Sequence, residues 1–432
     1  MDELGRYRGA LLGLAVGDAL GAPVAGLKDG HIVQLYGRIK GFVDAAQAWK
    51  DRPRRWRQSG LYTEDTQHAL ALSDTLVKCR GLKRAYFTEL LLDLARAETG
   101  LPLGAHRGAS DDLRATIVAL QNGTPPDQAG RPSAGIGPMA RVAPIGLYYA
   151  GKGEALLGAA IEQGLATHRD PRALVMAAVM ARAVELSVSG AWDRARPAGK
   201  ADDLLDAAAV AERLVEKEYI HLVPVACMDR FGMALSGLRL LPRLFDLPGE
   251  KMAFNQIVAE ANRQFPGHKI TEPGQGFVMA AGLSALFIAL GAPDFEDGVL
   301  QAVHLGKDTA GMAAIAGAIL GARLAESAIP GPWREKLVNA EQVGLRGEAL
   351  LQKTWEGLAI KDLVKMETAL TSQEERERQA LVQKLEQSGE LKPPAPKKAK
   401  QQAPAAPPFM PSALDRKKKR QKTKREKAPW KK

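Results

Sequence analysis

The first apolar segment of the chain carries a glycine at every fourth position: Gly9, Gly13, Gly17 and Gly21. Residues four apart lie on the same face of an α-helix, so these glycines leave one face without side chains. A glycine inside a helix costs about 1 kcal/mol relative to alanine, and the stripe therefore needs a packing reason. The sequence predicts that another helix crosses this face at close range, and Gly317 and Gly321 offer the same device in a later segment.

Apolar residues recur at helical spacing along most of the chain, and Gly and Pro clusters separate the apolar segments. The spacing predicts helices over residues 6–20, 66–79, 85–98, 111–120, 154–165, 171–188, 203–217, 275–290, 295–304, 309–326 and 348–369. No convincing hairpin signature is present. The sequence therefore predicts an all-α fold. Its predicted parts are a single compact multi-helix domain over residues 1–369, a charged and solvated helical linker over 370–390 and a Lys/Pro/Ala-rich tail over 391–432.

The positive charge of the chain is concentrated at its C-terminal end. Residues 391–432 carry 15 Lys and Arg but only 2 Asp and Glu, which accounts for +13 and leaves −2 on the rest of the chain, whose total is +11. A segment of this composition cannot bury a core and is predicted to be disordered. Such a tail could bind nucleic acid or another polyanion weakly and without sequence preference, through phosphate neutralisation. A solubilising tail is the alternative.

The cysteines, the N-terminus and the apolar runs of the sequence indicate the cellular compartment. Cys79 and Cys227 are the only cysteines, which argues against a disulfide framework and fits a reducing environment. The N-terminus opens with Asp2 and Glu3, and Asp18 interrupts its apolar run, so it does not read as a signal peptide. Charge, Gly or Pro interrupts the other apolar runs before about 18 residues, which argues against a membrane span. These features predict a cytoplasmic protein that does not enter a membrane.

Two short acidic motifs each stand at the start of an Ala-rich apolar run, namely Tyr-Thr-Glu-Asp-Thr-Gln at 62–67 and Gly-Lys-Asp-Thr-Ala-Gly at 306–311. Carboxylates and hydroxyls at the starts of two helices can converge on one hard cation, because Mg²⁺ prefers oxygen ligands. Asp and Thr are also favoured as helix caps without any metal. The residues alone leave both interpretations open for Thr63, Asp65 and Asp308.

Four segments in a fixed order carry a family resemblance. They are Gly9–Pro23, the motif at 62–67, the loop Ser133–Gly137 followed by Arg141–Pro144 and Thr167-His168, and the motif at 306–311 leading into Ala313–Gly317. Together they resemble the ADP-ribosylglycohydrolase family, which includes the dinitrogenase reductase-activating glycohydrolases. In that family the second motif usually reads Thr-Asp-Asp-Thr and the last one Gly-Gly-Asp-Thr-Asp-Thr. The resemblance covers about residues 6–335.

The resemblance implies an all-α fold with a two-Mg²⁺ site in a central cleft, where the metals bind ribose hydroxyls and the attacking water. It implies that Thr63, Glu64, Asp65 and Asp308 bind metal and that Glu64 and Asp65 are catalytic. Substrate contacts are implied for Ser133, Ala134, Gly135, Ile136, Gly137 and His168. A Gly-rich loop of this kind lets backbone N–H groups approach a diphosphate. The implied ligand is an ADP-ribosylated substrate or an ADP-ribose-like small molecule.

Three oxygen donors of the family pattern are absent from this chain. Ala25 stands where the family commonly has Glu, while Ala310 and Gly311 replace the second Asp and the following Thr of the last motif. The remaining donors predict one bound Mg²⁺ at most, since this ion often binds through one or two carboxylates plus waters. Lys307 stands at a family glycine, where its ammonium either neutralises nearby carboxylates or points to solvent.

Three functions follow as hypotheses. The first is a hydrolase that cleaves an N- or O-glycosidic bond to ADP-ribose or a related nucleoside with Mg²⁺ assistance. The second is a catalytically impaired pseudo-enzyme that binds ADP-ribose or a nucleotide. The third is a scaffold tethered to nucleic acid by residues 391–432. The three absent donors favour the second hypothesis over the first, whereas the retained carboxylates and Gly-rich loop favour a working cleft over the third.

Overall fold

The computed structural model describes residues 2–193 and 195–390. This part of the chain folds into the following α-helices: α1 (Glu3–Gly21), α2 (Asp29–Tyr36), α3 (Ala46–Trp49), α4 (Glu64–Cys79), α5 (Arg84–Arg96), α6 (Asp111–Gln121), α7 (Pro126–Ala129), α8 (Gly137–Ala140), α9 (Ala143–Tyr148), α10 (Glu154–Leu165), α11 (Pro171–Val188), α12 (Pro197–Leu214), α13 (Met233–Leu238), α14 (Leu241–Leu244), α15 (Glu250–Gln264), α16 (Leu283–Gly291), α17 (Phe295–His304), α18 (Thr309–Leu324), α19 (Gly331–Lys336), α20 (Ala340–Gln352) and α21 (Leu363–Gln387). Within the described residues, β-structure is limited to isolated bridges such as Gly135 with Phe277. The predicted all-α fold is confirmed, and the predicted tail at 391–432 lies outside the described residues.

Helices α1 and α18 form the centre of the fold, and they touch through their glycines. A Cβ placed on Gly13 would lie 2.2 Å from the carbonyl oxygen of Gly317, and one on Gly321 would lie 1.9 Å from that of Gly9. Distances this short leave no room for any side chain, so the two backbones are in direct contact. The close crossing that the glycine stripe predicts is confirmed, and its partner is the helix that carries the second set of glycines.

The pairing is antiparallel and brings the C-terminal end of α1 to the N-terminal end of α18. Gly9 faces Gly321 at one end of the pair, and Gly21 faces Thr309 at the other. The hydroxyl of Thr309 donates a 2.7 Å hydrogen bond to the carbonyl oxygen of Gly21. The contact therefore fixes the start of α18, including Asp308, beside the residues that follow α1.

The C-terminal part of the body differs from the sequence prediction. The helix predicted over 348–369 is wrong, because α20 ends at Gln352 and α21 begins only at Leu363. Helix α21 then continues through the predicted domain limit at 369, and one compact unit extends to Leu385. The predicted solvated helix is also not solvated throughout, since Thr371 and Glu374 are buried. Their burial is possible because Thr371 and Glu374 have hydrogen-bonding and charged partners in the body.

Among the described residues, no helix combines the length and apolar character needed to cross a bilayer. Cys79 is partly exposed and Cys227 is buried, and both are free thiols.

Replacing Gly13 by Ala tests the contact between α1 and α18. The added methyl group would overlap the Gly317 carbonyl and force the helices apart, so we expect the free energy of unfolding to fall by about 3 kcal/mol. The matched control is Gly30→Ala in α2, where a Cβ meets no atom within 4 Å. That change should be neutral or stabilising by up to about 1 kcal/mol. Urea denaturation of both variants measures the difference, and equal stabilities would contradict the close packing.

Candidate active site

A cavity of about 510 Å³ opens where the end of α1 meets the start of α18. Its wall includes most of the residues singled out in the sequence: Ala25, Thr63, Glu64, Asp65, Gly135, Ile136, Gly137, His168, Asp308 and Ala310. Ser133 and Ala134 do not line this cavity. The Ser133 hydroxyl instead donates to Asp112 at 2.7 Å, and the Ala134 carbonyl accepts from the Val278 N–H at 2.8 Å. The structure thus brings together side chains from four distant segments, while the roles assigned to them remain predictions.

Asp18, on the buried face of α1, holds the first acidic motif in place. One of its carboxylate oxygens accepts from the Thr63 hydroxyl at 2.8 Å. The other accepts from the Thr63 N–H at 3.0 Å, the Thr66 N–H at 3.1 Å and the Thr66 hydroxyl at 2.7 Å. A fully buried carboxylate needs such partners, because burying an unpaired charge is very costly. The link from Asp18 to Thr63 was not predicted, although a lone Asp in an apolar run is itself a signal.

Glu64, the first residue of α4, keeps one carboxylate oxygen free for a ligand. Its Oε1 accepts from the Ser110 N–H at 2.9 Å. Its Oε2 is buried and has no hydrogen-bond partner among the described residues. Burial raises the pKa of Glu64 to about 7, and Ser110 and the Arg141 charge oppose the rise. A residue that lines a cavity and has a buried oxygen without a partner leaves a hydrogen-bonding position unfilled.

Asp65 and Asp308 extend the negative charge across the cavity wall. Burial raises the pKa of Asp65 well above its usual value, and the charges of Asp18, Glu64 and Asp308 raise it further. Burial likewise raises the pKa of Asp308 to about 6, with a smaller contribution from Asp18. The carboxylates destabilise each other's charged forms, so a cation placed among them would be bound favourably.

Arg141 supplies a buried positive charge close to this acidic group. It donates to Gln163 Oε1 at 2.8 Å and to the Thr167 hydroxyl at 2.8 Å. Burial lowers its pKa to about 10, and the nearby charges of Glu64 and Asp65 oppose the fall. Arg141 entered the sequence analysis only as part of a motif, but here it partly compensates the acidic cluster.

His168 and Asp112 fix the Gly-rich loop against the cavity. Thr167 Oγ1 lies 2.8 Å from His168 Nδ1, and His168 Nε2 lies 3.2 Å from an Asp112 carboxylate oxygen. Because the Asp112 carboxylate can only accept, Nε2 carries the proton, and Nδ1 of the neutral imidazole then accepts from the Thr167 hydroxyl. Burial lowers the pKa of His168 although Asp112 opposes this. A Cβ on Gly135 would lie 2.9 Å from both the Asp112 oxygen and Nε2, so only glycine lets the backbone pass here.

Arginines line the outer part of the cavity: Arg55, Arg57 and Arg114. Arg57 is held from helix α21, where a Glu374 carboxylate oxygen lies 3.7 Å from its Nη1. The other oxygen of Glu374 accepts from the Gln58 N–H at 3.2 Å. These cations were not predicted, although the basic run that contains Arg55 and Arg57 stands shortly before the acidic motif in the sequence.

A second carboxylate of α21, Glu367, supports the acidic motif from behind. It forms a fully buried ion pair with Arg107 at 2.7 Å. It also accepts from the Tyr62 hydroxyl at 2.7 Å and from the Gln67 side chain at 2.9 Å. Helix α21 thus ties down both ends of the motif at 62–67.

Lys307 lies beside a carboxylate, but this carboxylate does not line the cavity. Its ammonium lies 3.7 Å from a carboxylate oxygen of Glu272 and is only partly exposed. Its backbone has a φ of +63° and is fixed by hydrogen bonds of 2.6 Å to Leu27 and 2.7 Å from Gly26. A left-handed φ is easily adopted by glycine, which explains why a glycine would suit this turn.

The cavity fits a hydrated hard cation better than a metal enclosed by protein ligands. No three His, Cys, Asp or Glu side chains in residues 2–193 and 195–390 form a ready-made metal-binding group. The donors present are all oxygens, and one of them, Glu64 Oε2, lacks a partner. Mg²⁺ usually keeps several waters and binds through one or two carboxylates, which matches such a set. Ala25 and Ala310 also line the wall, at positions where additional carboxylates would extend into the cavity.

Replacing Asp18 by Asn tests the support of the acidic motif. The amide nitrogen would face hydrogen-bond donors that now meet a carboxylate oxygen, so we expect the free energy of unfolding to fall by about 2 kcal/mol or more. Asp29→Asn, at an exposed position in the first turn of α2, is the control and should change it by less than about 0.5 kcal/mol. Chemical denaturation gives both values, and an Asp18→Asn variant as stable as the control would rule out this supporting role.

The chain is similar to known proteins over most of its length. The chain is 26% identical over 341 residues to an uncharacterised protein of Archaeoglobus fulgidus, which covers 79% of this chain and 93% of that protein. It is 23% identical to the ADP-ribosylarginine hydrolase Tri1 of Pseudomonas putida, over 82% of this chain and 79% of that protein. Tri1 of Serratia proteamaculans is also 23% identical, over 81% of this chain and 80% of its own length.

A solved structure and a family profile extend this similarity. The structure, described as an ADP-ribosylglycohydrolase-related protein complex, is 25% identical with a TM-score of 0.56 and covers 82% of this chain and 99% of its own. The sequence profile of the ADP-ribosylglycohydrolases matches residues 1–370. With acidic motifs, Gly-rich loop and histidine gathered around one cavity, the chain belongs to the ADP-ribosylglycohydrolase family, a family of hydrolases that act on ADP-ribose linkages.

Proposed function

We propose that this protein hydrolyses the N-glycosidic bond between ADP-ribose and an arginine side chain, with Mg²⁺ assistance. The observation that carries the proposal is the meeting of Glu64, Asp65 and Asp308 with the Gly-rich loop in one cavity. The linkage is chosen because two relatives are named ADP-ribosylarginine hydrolases. An O-glycosidic linkage is the nearest alternative substrate and can be tested in the same assay.

Each part of the cavity has a task in this proposal. Asp65, Asp308, Glu64 and Thr63 would hold the cation, which polarises ribose hydroxyls and lowers the pKa of a bound water. Glu64 lines the cavity and its Oε2 has no other partner, which supports giving it the role of the general base that accepts a proton from the attacking water. Arg141 keeps the acidic wall from becoming too negative for a substrate that carries phosphates.

The outer part of the cavity would hold the diphosphate. The backbone at Gly137 could approach an anion, because His168 Cε1, at 3.6 Å, is the only atom near the position of a Cβ there. Arg57 adds a positive charge there, and Glu374 fixes its position. Arg pairs strongly with phosphate because its planar guanidinium offers several donors in a fixed arrangement.

One observation favours a second candidate, a pseudo-enzyme that binds ADP-ribose without turnover. Ala25 and Ala310 form part of the cavity wall where the family pattern has carboxylates. Fewer anionic ligands weaken cation binding, and binding of the nucleotide portion does not depend on them. The scaffold hypothesis depends on residues 391–432, which lie outside the described residues.

A turnover assay on ADP-ribosylated arginine separates these candidates. For the hydrolase we expect release of ADP-ribose that requires Mg²⁺, and Asp65→Asn should reduce it by at least about 100-fold, as loss of a key catalytic group does. Asp111→Asn is the matched control, since Asp111 is an exposed neighbour of the cavity residue Asp112. Tight binding of ADP-ribose by calorimetry without any release would identify the pseudo-enzyme instead.

Restoring the family carboxylates tests the metal site separately. The double variant Ala25→Glu, Ala310→Asp should raise Mg²⁺ affinity by about tenfold or more, because both positions line the cavity and each adds an anionic oxygen ligand. Gly311→Thr is left out of the variant, since a Cβ at Gly311 would lie 2.6 Å from Ile136 Cδ1. Calorimetric titration with MgCl₂ gives affinity and stoichiometry. Two ions bound tightly by the unmodified protein would show that the present donors already suffice.

A further inference from the structure

A second cavity, of about 480 Å³, lies at the other end of the α1–α18 pair. Arg6 near the start of α1, Arg323 near the end of α18 and Lys200 of α12 contribute to its wall. The segment 290–293, at the end of α16, forms another side, and Asp193 lies at the rim. The cavity is thus built from parts of the protein that do not line the candidate active site.

The charges of this cavity do not balance. The three cations are each no more than 9% exposed, although Lys and Arg are rarely buried without a charged partner. Asp193 is occupied by Arg6, with Oδ2 at 2.8 Å from Nη2 and Oδ1 at 3.3 Å from Nη1. Within residues 2–193 and 195–390, neither Lys200 nor Arg323 forms an ion pair with a carboxylate. Among the described residues, Asp193 is the only carboxylate in the lining, and its charge also favours the charged forms of Lys200 and Arg323. Three buried cations therefore share one carboxylate, which already binds Arg6.

Backbone carbonyls are the partners that Lys200 and Arg323 do have. Arg323 donates to the Ala292 carbonyl at 2.9 Å and to that of Ala289 at 3.5 Å. Lys200 reaches the Leu290 carbonyl only at 3.5 Å. These contacts lie at the C-terminal end of α16, where a cation is favoured by the helix dipole.

Capping of the C-terminal end of α16 explains the burial of one cation there, but not the burial of two adjacent cations. Burial, followed by the charge of Arg323, lowers the pKa of Lys200 to about 8. Burial also lowers the pKa of Arg323 below its usual value. The charge of Arg323 makes the charged form of Lys200 less favourable, Asp193 offsets this only in part, and a bound anion would reduce the remaining cost.

We propose that this cavity binds the phosphate group of a small molecule, with Lys200 and Arg323 as its direct partners. Both side chains end in several N–H donors, and phosphate oxygens accept such charge-assisted hydrogen bonds strongly. The volume exceeds what a lone phosphate needs and lies within the range of small-molecule pockets. The site would act independently of the hydrolytic cavity, so it stands whether or not the proposed hydrolysis is found.

Calorimetric titration of the full chain with inorganic phosphate, at constant ionic strength in chloride, tests the proposal. We expect saturable binding that Lys200→Met weakens by at least about tenfold and that Lys200→Arg largely retains. Lys152→Met, at an exposed loop lysine, is the charge-matched control and should leave the affinity unchanged. Titration with ribose 5-phosphate then shows whether the cavity recognises phosphate alone or also the attached sugar.

Arg57→Met separates this cavity from the candidate active site, because phosphate could also bind there. If Arg57→Met abolishes phosphate binding and Lys200→Met does not, the proposal is wrong. It is equally wrong if Lys200→Met lowers the melting temperature in chloride while leaving the phosphate affinity unchanged, since Lys200 would then only cap α16. The proposal is supported if Lys200→Met loses phosphate binding while its melting temperature in chloride stays level or rises.

Discussion

Direct backbone contact between α1 and α18 is the constraint on which the candidate active site depends. Glycines on both helices bring the two backbones into contact, and the hydrogen bond from the Thr309 hydroxyl to the Gly21 carbonyl fixes their relative position along the axis. Asp308 precedes one helix and Ala22 follows the other, so the register of this pair decides which groups face each other across the cavity. A shift of one helical turn, about 5.4 Å, would separate Asp308 from the other carboxylates.

The acidic residues around the cavity fall into two kinds, and their hydrogen bonds distinguish them. Asp18 is saturated with donors and serves the architecture, because it has no oxygen left for a ligand. Glu64 keeps an unpartnered oxygen, and Asp65 and Asp308 raise each other's cost of ionisation. Such an arrangement lowers the stability of the folded protein, and a bound cation or substrate can offset this loss. Carboxyl groups with perturbed pKa values are common in active sites.

The sequence allowed prediction of the features that depend on a local pattern of residues. Helical spacing predicted the all-α fold, and the four-residue glycine repeat predicted the close helix contact. The sequence could not show that Asp18 supports Thr63, because a hydrogen bond between distant segments produces no periodic pattern of residues. The break between α20 and α21 was missed for a related reason, since apolar spacing continues across it. Lys307 was misjudged because its importance lies in a backbone angle, which residue type only weakly encodes.

Helix α21 supports residues of the candidate active site, although it lies far from them along the chain. Glu367 pairs with Arg107 behind the acidic motif, and Glu374 fixes Arg57 at the cavity. Both carboxylates belong to α21, which follows every other described helix along the chain. On a ribosome the earlier helices can collapse together, but the cavity lacks these supports until α21 has been synthesised. The cavity therefore gains its last supports only after the helices that line it have been made.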